Sequence, residues 1–356
     1  MSTDLLSNIA AHPSEISTQW LDACLRTFGA LTSGELVGVS VMLNEKWNVA
    51  HTARVTLDYD GNQNDDAPDR LFVKIAETHD PLIDIFPGEY AFYSKSRDPD
   101  LPLATCYAAL REQHTLRTCV LLQDLSETHS QTAWPAPPCA SMCEAAVSAL
   151  ARLHAHWWNE GGAGDHDIRA RLHSNEEKLA EFFRPLLPAF FDYLGERLSS
   201  DQRKLLETVW HKLPELKQRR AALARPVTRT HGDPHFWNVL YPHDASRDGC
   251  VLIDWEDWRL DMGAADLAAM LVLHWTRERR SLYEDALLHH YLDVLRTKTQ
   301  TDYDWNELQA DYRLGHLQNI VVPIFQQHAG TPEATWLPLL ERWFNAFKDL
   351  DCRQIL

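Results

Sequence analysis

The chain has 356 residues, a formal net charge of −17, 45% apolar residues and 13 tryptophans. This length exceeds the size at which one hydrophobic core stops growing, so we expect two lobes that share a cleft. The acidic balance argues against nucleic acid or an anionic membrane surface as a partner. Seven cysteines without paired metal-ligand spacing, and no signal peptide or apolar stretch of roughly 20 residues, predict a cytoplasmic protein with reduced thiols.

The first part of the chain is predicted to form a small lobe. Pro13 and Gly29 bracket a helix. Apolar and polar residues then alternate over 36–43 and 53–59, which predicts two strands of an antiparallel sheet. A third strand, a helix and two further strands complete this lobe, up to about residue 122.

The second part is predicted to be mostly helical. After a proline-rich link at 130–138, apolar residues recur at spacings of three and four. The predicted helices cover 141–158, 176–194, 202–222, 264–275, 282–295 and 305–327. The sequence therefore predicts an α+β fold with two lobes, a small β-rich N-terminal lobe at 1–122 and a larger, mostly helical C-terminal lobe at 123–356.

The segment His231–Asn238 reads HGDPHFWN. Its Asp233 and Asn238 are five positions apart, which is the spacing of the kinase catalytic loop. Transfer of the ATP γ-phosphoryl group requires a residue that orients or deprotonates the acceptor, and oxygen ligands for Mg²⁺. We expect Asp233 to be the catalytic base, and Asn238 and Asp254 to be the metal ligands.

Two short apolar stretches connect these residues. Residues 239–241 and 250–253 lie on either side of a polar turn, a pattern that predicts a β-hairpin. A hairpin would bring Asn238 and Asp254 to neighbouring positions, as shared metal ligation requires.

These segments resemble the catalytic core of the aminoglycoside phosphotransferase and choline kinase-like family, which includes ecdysteroid kinase-like proteins. The matches extend from about residue 35 to about residue 275, and the helix that reads ARLHAHWW at 151–158 is similar to the opening of the family's second lobe. The resemblance implies a protein-kinase-like fold with ATP and Mg²⁺ as cofactors. It also implies that Asp266 braces the catalytic loop.

The same resemblance identifies candidate nucleotide-binding residues. Lys74 lies in the apolar strand LFVKIA, and Glu89 lies on the next predicted helix. A buried ammonium group needs an anionic partner, and ATP phosphates or Glu89 would supply it. A lysine on the solvated face of the strand is the alternative. Gln123, Asp124 and Leu125 match the family's link between the lobes and are expected to contact the nucleotide.

One segment departs from the family. The loop between the first two strands, 44–51, contains no glycine, although glycine is what permits a close approach of the backbone to phosphate. Asn48 and His51 are the candidate side-chain donors there.

Five further residues are candidates for contacting substrate or shaping the loop. His231 is expected to be structural, whereas His235 either shapes the loop or touches substrate or phosphate. Glu256 either assists metal binding or is an exposed strand-end residue. Trp237 and Trp258 either present aromatic faces to an ammonium group, at roughly 0.5–2 kcal/mol each, or pack the hairpin.

The sequence thus predicts a small-molecule kinase that phosphorylates a hydroxyl of an amino-alcohol or choline-like metabolite. An aminoglycoside or macrolide antibiotic kinase is the second interpretation, and a kinase of hydroxylated lipids or steroids is the third. A nucleotide-binding pseudokinase without turnover is the rival from another class. A protein kinase is disfavoured because little room for an activation loop follows Asp254. Neither nucleic acid nor a membrane is expected as a partner, and the pattern does not determine the oligomeric state.

Overall fold

The computed structural model describes residues 9–44, 50–77, 83–96, 98–160, 166–244 and 249–356. The chain divides into two compact units. The sheet unit contains the chain up to Ser130 together with Leu240–Glu256, and the helical unit contains Gln131–Val239 and Asp257–Leu356. Most of the predicted hairpin thus belongs to the same compact unit as the N-terminal part of the chain. The predicted lobe boundary at residue 122 stays a prediction.

The sheet unit is built on antiparallel strands. Its first sheet contains β1 (Leu36–Asn44), β2 (His51–Tyr59), β3 (Arg70–Glu77), β4 (Cys106–Arg111) and β5 (Arg117–Gln123), and its helices are α1 (Thr18–Thr27) and α2 (Gly88–Tyr93). The strand order is β1-β2-β3-β5-β4. This order of three strands, one helix and two strands confirms the prediction.

A second, smaller sheet contains the predicted hairpin. Its strands are β6 (His129–Ser130), β8 (Val239–Pro242) and β9 (Val251–Leu252), in that spatial order. The pairing of β8 with β9 confirms the hairpin, whose turn at 245–248 lies outside the described residues.

Helix α1 covers one face of the larger sheet. Ser17 caps it by accepting a hydrogen bond from the backbone amide of Trp20 at 3.2 Å. Trp20, Leu21, Cys24 and Leu25 are buried and recur at spacings of three and four, so they form one apolar stripe. This stripe belongs to the hydrophobic core of the sheet unit.

Strand β3 shows how the sheet positions a functional side chain. Leu71, Val73 and Ile75 are buried in the core with α1. Because successive side chains of a strand point to opposite faces, Lys74 is directed to the other face. Alternation in the sequence therefore fixes on which side of the sheet the lysine lies.

The helical unit contains a two-stranded sheet of β7 (Thr228–Thr230) and β10 (Arg259–Asp261). Its helices are α3 (Ala140–His156), α4 (His166–Phe183), α5 (Leu186–Leu194), α6 (Ser200–Ala222), α7 (Gly263–Ala268), α8 (Arg277–Thr299), α9 (Trp305–Gln318), α10 (Val321–His328) and α11 (Glu333–Asp349). A π-helical turn, Ala269–Leu273, follows α7. The short β7–β10 ladder was not predicted, because three-residue strands carry no periodic pattern.

Two predicted helices are each divided in the structure. The prediction at 176–194 is wrong at Pro185, which caps α5 after α4 has ended at Phe183. The prediction of one helix over 305–327 is wrong, because α9 ends at Gln318 and Asn319 is its C-cap. Proline lacks an amide hydrogen and its ring clashes with the carbonyl four residues earlier, which for Pro323 is that of Asn319.

Helix α11 was missed by the sequence analysis. Its buried residues, Trp336, Leu339, Leu340, Trp343 and Phe347, recur at spacings of one, three and four. That spacing is the signal that would have predicted it. The helix contributes Trp336, Trp343 and Phe347 to the core of the helical unit. Within the described ranges, no helix has both the length and the apolar content needed to cross a membrane.

His316 is a buried histidine of that core. It is 0% exposed and stacks on Trp343 with ring centroids 5.1 Å apart. Neither ring nitrogen has a hydrogen-bond partner among the described residues. Burial, together with the nearby charge of Arg280, lowers the pKa of His316 to about 3.

This depressed pKa predicts a loss of stability in acid. The unfolded chain binds a proton at His316 below a pH of about 6.5, whereas the folded chain does not until about pH 3. The free energy of unfolding should therefore fall as the pH drops through this window, by about 2 kcal/mol between pH 6.5 and pH 5. Urea unfolding at pH 7 and pH 5 measures it.

The variant His316→Phe removes the titrating group and should lose less stability over the same interval. His289→Phe is the matched control, because His289 is an exposed histidine that also stacks on a tryptophan, Trp305. Equal acid sensitivity of His316→Phe and wild type would contradict this account.

Candidate active site

Lys74 lies at the centre of a cage of carboxylates in the sheet unit. Its Nζ atom is 3.0 Å from Glu89 Oε2, 2.8 Å from Asp254 Oδ1 and 3.0 Å from Glu256 Oε1. The Lys74 side chain is only 14% exposed. We call these four residues the carboxylate cage. The alternative of a solvated surface lysine is therefore wrong, because Lys74 is largely buried and ion-paired.

The cage shifts the pKa values of its members. Burial lowers the pKa of Lys74, but the charges of Glu89, Asp254 and Glu256 outweigh it, so the net pKa lies well above the ordinary value. Burial raises the pKa of Glu89 to about 7. The positive charge of Lys74 lowers this pKa, whereas the negative charges of Glu256 and Asp254 raise it further. Three carboxylates thus surround one ammonium group, which leaves an excess of negative charge.

That excess, and the donor atoms, fit a divalent cation. Glu89, Asp254 and Glu256 each offer a carboxylate oxygen, and these atoms lie within 4.8 Å of one another. Oxygen donors are the ligands that Mg²⁺ and Ca²⁺ prefer. Glu256, which the sequence left between a metal-site role and an exposed strand end, contacts Lys74 and belongs to this group.

A stack of two aromatic rings holds the cage together. Trp255, between Asp254 and Glu256 in sequence, is fully buried and lies parallel to Phe92, with ring centroids 3.9 Å apart. Phe92 is three residues after Glu89 on α2, so the two share a helix face. The stack therefore fixes α2 against the segment that follows β9.

The backbone at Asp254 is in the left-handed region, with φ of 68°. Non-glycine residues rarely adopt this conformation, although aspartate tolerates it better than most. Such a conformation persists only where the surroundings hold it, and it is common at functional sites. Here the buried Trp255 and the ion pair with Lys74 hold it.

The three predicted nucleotide-contacting residues lie at the end of β5. Gln123 is exposed, and its backbone N–H donates a hydrogen bond to the backbone oxygen of Thr105 at 2.8 Å. Asp124 accepts a hydrogen bond from the backbone amide of Ser126 at 2.9 Å, and Leu125 is half-buried. Strand β5 pairs with the Lys74 strand β3. The nucleotide contacts of these residues stay predicted. Of the glycine-free loop, residues 45–49, including Asn48, are outside the described part of the chain.

The residues of the predicted catalytic loop lie in the helical unit, where a buried carboxylate holds the loop. Asp266, 2% exposed on α7, accepts hydrogen bonds from the backbone amides of His231 at 2.6 Å and Gly232 at 3.1 Å. His154 Nε2 is 3.1 Å from Asp266 Oδ2 and orients it. The prediction that Asp266 braces this loop is confirmed. His231 is itself 0% exposed, in agreement with its expected structural role.

Within the loop, Asn238 is tied to Asp233. The Asn238 side-chain amide nitrogen donates to Asp233 O at 3.0 Å. The amide nitrogen is therefore engaged with the loop backbone. The amide oxygen, which is the atom that an asparagine offers to a metal ion, takes no part in this hydrogen bond. The Asp233 side chain is 46% exposed, so its carboxylate is accessible to a ligand.

The remaining predicted residues divide into two groups. His235 and Trp237 lie beside Asp233, with His235 Nε2 3.5 Å from Asp233 Oδ2 and Trp237 8% exposed. Trp258 packs instead: it is 7% exposed, and the guanidinium of Arg229 lies 5.6 Å from its ring centroid. The sequence analysis missed His274, whose ring contacts both His235 and Trp237, because nothing in its local pattern marks it.

Gly232 is the backbone position that permits this loop. Its φ is +89°, and a Cβ atom there would lie 2.0 Å from Asp257 O. We expect Gly232→Ala to destabilise the helical unit and to displace Asp233, with a fall in the melting temperature and loss of activity. The control Gly29→Ala has a similar φ, +81°, but no atom within 4 Å of the added carbon. It should lose only about 1 kcal/mol of stability. Equal melting temperatures for the two variants would contradict the clash.

The sequence model of the phosphotransferase enzyme family matches residues 61–307, well over half of the chain. A comparison with curated proteins finds no match.

Three solved structures resemble the protein over most of both chains. The choline kinase of Cryptosporidium parvum Iowa II has a TM-score of 0.57 at 13% identity, covering 89% of this chain and 91% of that one. The ethanolamine kinase of Plasmodium vivax has a TM-score of 0.53 at 13% identity, covering 99% and 93%. An amicoumacin kinase, in complex with AMP-PNP, Ca²⁺ and Ami, has a TM-score of 0.51 at 15% identity, covering 94% of each.

At these identities the likeness establishes the fold alone. It confirms the predicted α+β, protein-kinase-like fold with a small antiparallel sheet and a mostly helical part. The family match, together with that fold, shows that the chain belongs to the phosphotransferase enzyme family and is a small-molecule kinase.

Proposed function

We propose that the protein transfers the γ-phosphoryl group of Mg-ATP to a hydroxyl of a small molecule. The observation that supports this most directly is the carboxylate cage. An ammonium group is held by three carboxylates whose combined charge exceeds its own. A divalent cation would supply the missing positive charge, and the phosphates that it carries would give Lys74 anionic oxygens to bind.

Each unit contributes distinct roles to this proposal. In the sheet unit, Lys74 would bind phosphate oxygens while Glu89 keeps its ammonium in place. Asp254 would ligate Mg²⁺, with Glu256 as a further donor. Gln123, Asp124 and Leu125, at the end of β5, are the proposed contacts to the rest of the nucleotide.

In the helical unit, Asp233 would orient the acceptor hydroxyl and take its proton, and the side-chain oxygen of Asn238 would ligate Mg²⁺. The acceptor oxygen forms a bond to the γ-phosphorus, and the bond from that phosphorus to the ADP oxygen breaks. Mg²⁺ neutralises the charge on the transferred group when it is bound.

The finer question is the acceptor class. The sequence favoured an amino-alcohol or choline-like metabolite because three tryptophans, Trp237, Trp255 and Trp258, flank the predicted site. Two of them are occupied by other contacts: Trp255 stacks on Phe92, and Trp258 faces Arg229. Amino-alcohols, aminoglycoside or macrolide antibiotics and hydroxylated lipids are therefore the acceptor classes to compare. A pseudokinase is disfavoured because Lys74, Asp233, Asn238 and Asp254 are all present.

The variant Asp233→Asn tests the catalytic base. It keeps the size of the side chain but cannot accept a proton, so we expect the acceptor-dependent kcat to fall by about 10²–10⁴ with unchanged ATP binding. ADP release with each acceptor class measures this. Asp192→Asn, the same change at an exposed position on α5, is the control. Turnover close to that of wild type would remove Asp233 from this role.

The variant Asp254→Ala tests the metal site. Loss of a direct metal ligand should weaken Mg-ATP binding at least about 10-fold, whereas metal-free ATP binding should not weaken, because the removed carboxylate competes with phosphate for Lys74. Calorimetric titration of ATP with and without Mg²⁺ measures the difference. Asp58→Ala, on the exposed face of β2, should bind as wild type does. Unchanged affinity for Mg-ATP in Asp254→Ala would contradict the assignment.

A further inference from the structure

Three rings beside Asp233 are in mutual contact. The ring centroids of His235 and Trp237 are 5.8 Å apart, those of His235 and His274 are 5.3 Å apart, and those of Trp237 and His274 are 5.8 Å apart. The planes are tilted or perpendicular, at 59° to 75°. We call these residues the ring triad.

Each ring of the triad contains one buried nitrogen without a hydrogen-bond partner among the described residues. These atoms are His235 Nδ1, Trp237 Nε1 and His274 Nδ1. Buried polar atoms are almost always hydrogen-bonded, and an exception at a functional site needs an explanation. Three such atoms on rings that touch one another indicate a site for a polar ligand.

The position of the triad indicates which ligand. His235 Nε2 is 3.5 Å from Asp233 Oδ2, the proposed catalytic carboxylate. On the other side, Trp134 meets Trp237 edge-on at 4.4 Å and is 55% exposed. The side chain of Gln131, three residues before Trp134, donates a hydrogen bond to the backbone oxygen of Trp237 at 2.8 Å. This bond fixes the segment that contains Trp134 to the loop that contains Trp237. The triad therefore lies between the catalytic carboxylate and an exposed tryptophan.

The chemistry of the nitrogens restricts the ligand further. An indole N–H can only donate, so Trp237 requires a lone pair. His274 is neutral, since burial and the neighbouring His235 lower its pKa well below the ordinary value. A neutral imidazole donates at one nitrogen and accepts at the other.

These requirements separate the acceptor classes. A hydroxyl both donates and accepts, so it can satisfy all three rings. A quaternary ammonium has neither a donor nor a lone pair, and a protonated amine has no lone pair for Trp237. A carboxylate would accept from Trp237 but would be repelled by the nearby carboxylate of Asp233.

We propose that the ring triad binds an uncharged oxygen function of the acceptor, adjacent to the hydroxyl that Asp233 activates. The acceptor then has at least two oxygen functions, and Trp237 and His274 determine the preference for it over choline and ethanolamine. This inference rests on the proposed phosphotransfer, and its test separates the two.

The test uses the variant Trp237→Phe, which keeps an aromatic ring and removes only the N–H donor. Trp158→Phe is the matched control, because Trp158 also has a buried indole nitrogen without a partner in the described structure but packs on Tyr303, outside the triad. The acceptor probes are myo-inositol, ribose and kanamycin on one side and choline and ethanolamine on the other.

For an oxygen-rich acceptor that is turned over, Trp237→Phe should raise the acceptor KM about 2- to 13-fold, the effect of one neutral hydrogen bond. The KM for ATP should not change, and Trp158→Phe should behave as wild type. His274→Phe should show a loss of the same order. A merely structural role would instead change both KM values and the melting temperature.

Turnover of choline or ethanolamine that depends on Asp233, with no effect of Trp237→Phe, would overturn the triad proposal and leave the phosphotransfer intact. If no acceptor yields ADP, the phosphotransfer proposal fails instead. Saturation-transfer NMR on the Asp233→Asn variant then tests whether the triad binds the acceptor, independently of turnover. Weaker binding of myo-inositol, ribose or kanamycin after adding Trp237→Phe supports it. Equal binding, or no binding of any of the three, overturns it.

Discussion

The ion pairs of Lys74 are the constraint on which the sheet unit's functional geometry depends. An isolated ammonium group is costly to bury, and a carboxylate as enclosed as Glu89 is equally costly without a partner. The Lys74 ammonium and the Glu89 carboxylate, with Nζ and Oε2 3.0 Å apart, neutralise each other's charge. Asp254 and Glu256 complete the cage. The cage carries more negative than positive charge, so the same arrangement that stabilises the lysine supports the proposed cation site.

The helical unit depends on a different buried charge. Asp266 accepts hydrogen bonds from two backbone amides of the predicted catalytic loop, so α7 holds this loop together with the loop's own hydrogen bond from Asn238 to Asp233. Gly232 is required because the chain passes so close to Asp257 O that a side chain has no room. In each unit, largely buried groups thus hold partly exposed carboxylates in place: Asp254 and Glu256 in the sheet unit, and Asp233 in the helical unit.

Much of this could be predicted from local sequence pattern. Strand alternation directed Lys74 away from the core, and the five-residue spacing in HGDPHFWN predicts that Asp233 and Asn238 act together in catalysis, which stays a prediction. Local sequence pattern did not predict the features that depend on contacts between residues far apart in the chain. Pro214 remains inside α6 whereas Pro185 separates two helices, so the presence of a proline alone does not determine where a helix ends. His274 has no marked neighbours in sequence and becomes significant only through the rings it touches.

The sequence by itself determined the chemistry that is available, because residue types and short spacings select the carboxylates, the amide and the lysine. It also determined the antiparallel sheet, since a period of two is a local property. Only the tertiary structure decided which groups are paired. It paired Glu256 with Lys74, covered the faces of Trp255 and Trp258, and left one nitrogen in each ring of the triad without a hydrogen-bond partner in the described chain. Burial and pairing depend on residues far apart in the chain, and no local pattern records them.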